Sequence, residues 1–120
     1  MDITLWHNPR CSKSRQALAL LRERGIEPHI VEYLVEPPDA AALRAVLAAL
    51  DGPPQALLRG DEPDARALSL APERMDAGAV VAALVAHPGL IQRPVAIAGA
   101  RAVIGRPPEA VLALLPDATG

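Results

Sequence analysis

The stretch His7-Asn8-Pro9-Arg10-Cys11-Ser12-Lys13-Ser14-Arg15 holds the residue types best suited to chemistry. Cys11 is the only cysteine of the chain. It falls where an apolar run, Ile3-Thr4-Leu5-Trp6, gives way to a helical pattern from Gln16 to Arg24. The first reads as a strand and the second as a helix, so the thiol sits at a strand-to-helix junction. A helix N-terminus offers unpaired N–H groups and a partial positive charge, and both favour an anion. A thiol placed there, beside Arg10, Lys13 and Arg15, should lose its proton readily; comparable sites have pKa values of ~3.5–7.5. The thiolate is a nucleophile, and the same N–H groups can hold an oxyanion against it. The expected chemistry is attack by sulfur on an anionic substrate. A single cysteine is also common as a small buried hydrophobe, but the cationic setting turns this one towards reactivity. His7 can hydrogen-bond near the sulfur and tune it, or merely cap the strand end. Asn8 and Ser14 can aim donors at the anion, or serve local turn and first-turn roles.

The elements that must hold this loop fit into one domain, residues 1–120. Half of the chain is apolar, mostly Ala, Leu and Val, which argues against disorder. Net charge is −2, Trp6 and Tyr33 are the only aromatic residues, and there is no basic block. Nucleic acid is therefore an unsuitable partner, since it needs a cationic face or stacking rings. No apolar run approaches the ~20 residues of a membrane span, and the N-terminus has no leader pattern. One cysteine cannot form an internal disulfide, so a reducing, cytoplasmic setting is expected. No spacing of His, Cys, Asp and Glu marks a metal site.

Gly25 is a natural left-handed stop for the first helix, and His29 to Tyr33 alternates like a second strand. Strand, helix and strand in so short a span form a βαβ unit with parallel strands. Asp39 to Leu50 predicts a helix with Leu43, Val46, Leu47 and Leu50 on one face. Gln55 to Arg59 is a short segment, and Glu62 to Arg74, broken by Pro63 and Pro72, reads as loop and turns. Asp76 should cap another helix with Val80, Val81, Leu84 and Val85 inward and His87-Pro88-Gly89 as its stop. The pairs Pro37-Pro38, Pro53-Pro54 and Pro107-Pro108 read as helix starts. Pro94 to Ala98 and Ala102 to Ile104 predict a hairpin, and a closing helix should run from Pro107 through Leu115. The order βαβ, helices, ββα is accounted for by an α/β, thioredoxin-like fold. It would have a mixed four-stranded sheet and a helical insertion at about 39–88.

The motifs His7-Asn8-Pro9-Arg10-Cys11-Ser12-Lys13-Ser14-Arg15, Ala56-Leu57-Leu58-Arg59, His87-Pro88, Gln92-Arg93-Pro94 and Gly105-Arg106-Pro107 together resemble the ArsC-type, glutaredoxin-coupled arsenate reductases. The resemblance runs from about Ile3 to Leu115. It implies that Cys11 attacks arsenate, that Arg59, Arg93 and Arg106 hold the oxyanion, and that Pro94 follows a cis peptide. It further implies glutathione as co-substrate with no bound cofactor, a glutaredoxin that resolves the mixed disulfide on Cys11, and a monomer. Guanidinium forks suit tetrahedral oxyanions, and Arg93 and Arg106 bracket the hairpin, so they lie at one end of it. A lone thiol cannot resolve its own intermediate, so an external thiol must supply electrons. Arg59 also ends a helical segment, where a cation favours the dipole. Arg22, Arg24, Arg44, Arg66 and Arg74 read as solvated surface groups.

Two related readings stand beside this one. A glutathione-dependent thiol or mixed-disulfide reductase would use the same cysteine without needing three arginines. An Spx-like regulator that binds RNA polymerase shares the fold, but Ser14 stands where its Cys-x-x-Cys pair would close. The Cys-x5-Arg loop of low-molecular-weight phosphatases is also missing, because Ala17 occupies the arginine's place.

Overall fold

A computed structural model describes residues 2–59 and 71–115 of the chain. Four short strands form one sheet in the order β2-β1-β3-β4. They are β1 (Thr4–His7), β2 (His29–Glu32), β3 (Val95–Ala98) and β4 (Arg101–Ile104). β1 and β2 run parallel, whereas β3 is antiparallel to both β1 and β4. The sheet is therefore mixed, as the element order predicts. Among the described residues, three α-helices accompany it: α1 (Ser12–Glu23), α2 (Ala40–Ala49) and α3 (Ala77–Ala86).

Side chains alternate across the sheet and divide the core in two. Trp6 and its partner Val95 face one way, packing with Leu43 and Val46 of α2 and Val80, Val81 and Leu84 of α3. Leu5 and its partner Ala96 face the other way, against Ala17 and Leu21 of α1 and Val111 and Leu114 of the closing helix. The insertion thus covers one face and the helices flanking the βαβ and ββα halves cover the other.

Local signals account for the helix ends. Asp39 accepts a hydrogen bond from the Ala42 amide and Asp76 one from the Ala79 amide, both at 2.8 Å. At the end of α1, the Gly25 amide donates to the Arg22 carbonyl and the Ile26 amide to that of Leu21. With Gly25 at φ 77°, this is a Schellman stop that glycine makes cheaply. Pro54 and Pro108 open short 3-10 helices at Pro54–Leu57 and Pro108–Leu114. Pro37 and Pro38, by contrast, precede the Asp39 cap of α2 and lie outside that helix.

Several expectations need correction. α1 begins at Ser12 rather than Gln16, because the polar run Ser12-Lys13-Ser14-Arg15 already forms its first turn. The closing segment is 3-10 rather than α, and the span ends at Leu114. Val85 is 47% exposed, so α3 turns only Val80, Val81 and Leu84 inward. The second strand stops at Glu32, one residue before Tyr33. Of the stretch read as loop from Glu62 to Arg74, Pro72–Arg74 is a 3-10 turn; residues 60–70 lie outside the described residues.

Candidate active site

The antiparallel pairing explains how residues far apart in the chain reach one place. β1 ends at His7, and Trp6 lies opposite Val95, which lies opposite Ile104. Arg93, just before β3, and Arg106, just after β4, must therefore lie at the end of the sheet where β1 delivers Cys11. Gly105 tightens this junction. Its amide donates to the Pro94 carbonyl at 2.8 Å, and a Cβ there would stand 2.7 Å from Pro94 Cγ. The Arg93–Pro94 peptide is cis, and so is Arg106–Pro107.

Cys11 is the N-cap of α1, with extended backbone. Its amide donates to the Asn8 carbonyl at 3.0 Å and closes the turn that carries Pro9 and Arg10. The thiol is only 9% exposed, yet it belongs to neither apolar cluster. Polar and cationic groups enclose it. Burial by itself pushes its pKa up, but the Ser14 amide, the Arg93 guanidinium and the Lys13 amide outweigh this and hold it below the ordinary thiol value. The charge that acts on the sulfur is that of Arg93, which the sequence argument did not place beside the helix tip among Arg10, Lys13 and Arg15.

Arg93 and Arg106 are held differently. Arg106 donates from Nε to the Arg93 carbonyl at 2.8 Å and extends Nη2 to 3.8 Å from Cys11 Sγ. Arg93 supports the thiolate by hydrogen bonding and by charge. Its Nε and Nη1 are buried and lack a hydrogen-bond partner among the described residues. A buried guanidinium donor without an acceptor is costly, so this pair of N–H groups is poised for an anionic ligand. The Arg59 amide donates to the Leu90 carbonyl at 2.8 Å, and its Nη1 reaches the Gly89 carbonyl at 3.5 Å. Arg93 and Arg106 both lie against the sulfur.

His7 closes β1 rather than sitting on a loop, and it is 6% exposed. Ser14, wholly buried in the first turn of α1, accepts the Asn8 amide at 3.1 Å and hydrogen-bonds His7 Nδ1. Burial holds the His7 pKa below its usual value. Ser14 therefore ties strand to helix beneath the thiol, and its role combines the local and the functional readings. Asn8 Oδ1 accepts the Arg10 amide at 3.0 Å.

Tyr33 is the site residue that sequence reasoning missed. It is 1% exposed and its phenol lies beside the Asn8 side chain, within the fields of Arg93, Cys11 and Arg106. Burial, the dominant influence, raises its pKa, so the hydroxyl stays protonated and can donate. A signal was available: Glu32 pairs with His7 in parallel register, so the next residue stands level with Asn8. Among the described residues, no group of three or more His, Cys, Asp and Glu is placed to hold a metal ion. No helix among them is long and apolar enough to cross a membrane.

A thioredoxin-like sheet that presents one acidified thiol at a helix tip, next to a cis-proline, defines the class. Within it, the ArsC family model matches residues 6–114, and the chain belongs to the ArsC family. It is 44% identical over 115 residues to YfgD of Escherichia coli K12, covering 95% of this chain and 97% of that one. It is 39% identical over 115 residues to an arsenate reductase of Neisseria meningitidis, covering 95% and 98%. Among solved structures, an arsenate reductase from Vibrio cholerae superimposes with a TM-score of 0.89 at 38% identity, covering 96% and 98% of the two chains.

Proposed function

We propose that this protein is an arsenate reductase that draws its electrons from glutathione and a glutaredoxin. The observation that carries the proposal is the pair of buried Arg93 donors, without a partner among the described residues, beside Cys11. Relatives with that activity in their names, Neisseria meningitidis and Rhizobium meliloti among them, support the substrate. Arsenate, a tetrahedral oxyanion, satisfies the Arg93 donors and the Nη2 edge of Arg106, with Arg59 as a third contact.

The steps balance as follows. The Cys11 thiolate attacks arsenic, an S–As bond forms, and one arsenate oxygen leaves as water after protonation. Glutathione thiolate then attacks the Cys11 sulfur. The S–As electron pair leaves with arsenic, which departs as arsenite, and a Cys11–glutathione disulfide remains. A glutaredoxin thiol attacks the glutathione sulfur of that disulfide and frees Cys11. No second cysteine is required in this chain, and the cycle fits a reducing cytoplasm and a monomer.

Arsenite release from arsenate, measured with purified protein, glutathione and glutaredoxin, tests the proposal. Turnover that disappears in Cys11→Ser is the expected outcome. Wild-type protein that yields no arsenite overturns it. A second reading, a glutathione-dependent mixed-disulfide reductase, would use the same Cys11 beside Arg93 and Arg106, since a disulfide needs no triple clamp. Reduction of a glutathionylated peptide without arsenate turnover would select that reading.

A further inference from the structure

The segment that leads into β3 divides its hydrogen bonds between main chain and side chain. The Gln92 amide donates to the Leu57 carbonyl at 2.7 Å, and the Pro94 carbonyl accepts the Gly105 amide at 2.8 Å. Both are main-chain pairs. Arg93, between them, is bonded by side chains instead. Its amide donates to Gln92 Oε1 at 3.3 Å, and its carbonyl accepts Arg106 Nε at 2.8 Å. The same guanidinium extends Nη2 to 3.8 Å from Cys11 Sγ. Cys11 is 9% exposed and Arg106, itself exposed, lies against it, so this side chain borders the way to the sulfur.

An extended peptide that brings a disulfide to Cys11 gains most by pairing its main chain with open amide and carbonyl groups beside the sulfur, as strand addition does. Arg93 is the residue placed to offer that pair, because Pro94 has no amide and its carbonyl is taken. A tetrahedral oxyanion or a small thiol needs no such pairing. We propose that Gln92 and Arg106 cap the Arg93 main chain against extended peptides and so restrict Cys11 to small substrates. Arg106 does this with one planar group: Nε closes the carbonyl while Nη2 faces the sulfur, a division that a lysine ammonium cannot make. A peptide amide that displaces Nε gains one hydrogen bond and breaks another, so docking wins nothing. The proposal rests on the reading of Cys11 as the attacking thiol and not on arsenate.

Two probes carrying the same thionitrobenzoate disulfide test the cap on the full chain, one on N-acetylcysteine amide and one on a cysteine in the middle of an extended peptide. The Cys11 thiolate attacks the cysteine sulfur of either probe, a Cys11–probe disulfide forms, and thionitrobenzoate leaves as a coloured thiolate. The readout is the ratio of the two rates, because a change in Cys11 acidity acts on both probes alike and cancels. Wild type should show no preference for the peptide. Arg106→Ala should favour the peptide by about threefold to tenfold, the range of one hydrogen bond. Gln92→Ala, outside the anion clamp, should favour it by less, since its bond is the longer one. Gln92→Glu keeps an acceptor and should match wild type. N-methylation of the peptide amides beside the cysteine should abolish the gain in Arg106→Ala. A wild type that already prefers the peptide severalfold, an unchanged ratio in both alanine variants, or a gain that survives N-methylation overturns the cap. Neither probe contains arsenate, so wild-type protein with the expected ratio that makes no arsenite condemns the proposed reaction and not the cap.

Discussion

The sulfur of Cys11 is governed by a contest between burial, which favours the thiol, and the Ser14 amide and Arg93 guanidinium, which favour the thiolate. Alkylation by iodoacetamide should therefore rise with pH around a midpoint below that of an ordinary thiol, and Arg93→Ala should move the midpoint up. Because the folded pKa is the lower one, ionised Cys11 stabilises the folded state above the unfolded pKa. That contribution fades as pH falls through the folded value. Arg93→Lys should keep part of the acidification yet lose arsenate turnover, since the ammonium cannot present a planar fork. Tyr33→Phe removes the buried hydroxyl beside Asn8, and turnover should fall about threefold to tenfold, the range of one polar contact. Thermal stability serves as the control in that variant: a large drop in melting temperature would assign Tyr33 a packing role instead.

At the scale of elements, the decisive joint is the crossing of the residues before β3 and after β4. Gly105 lies in it with Pro94 on one side and Val111 Cγ1 3.1 Å from a virtual Cβ on the other. Both neighbours are ring or branched atoms in a packed setting, so neither can swing aside. Gly105→Ala should destabilise by about 1–3 kcal/mol, as overpacking does. It should also lower turnover beyond that, because Pro94 carries Arg93 with it; denaturant unfolding and arsenite release measure the two effects. The element pattern was legible in advance at such places. Asp39, Asp76 and Gly25 each announced a helix boundary through hydrogen-bonding chemistry local to the chain. The closing 3-10 helix was not, because i+3 and i+4 bonding share the same apolar spacing and differ only in packing against α1 and β4.

For the whole molecule, the sheet separates two cores that share few neighbours. Leu21 lies in the α1 cluster and Leu84 in the insertion cluster, both essentially inaccessible. Leu21→Ala and Leu84→Ala should each cost about 2–5 kcal/mol. In the double variant the costs should add to within ~0.5 kcal/mol, as for sites without shared partners. Urea unfolding followed by circular dichroism measures all three. A marked departure from additivity would show that the sheet transmits strain between its faces.

Local chemistry was sufficient, from residue order alone, to place a reactive thiol at a helix start and to lay out a mixed sheet with one helical insertion. Strand periodicity, proline and glycine punctuation and capping aspartates act over a few residues, so they are readable in one dimension. Which arginines meet Cys11 was decided by the antiparallel register that folds Arg93 and Arg106 back to the end of β1. The same holds for Tyr33, whose neighbourhood to Asn8 exists only because β2 pairs with β1 in one particular register. Such contacts depend on strand alignment and burial across the whole sheet, and no short-range property of the residues themselves encodes them.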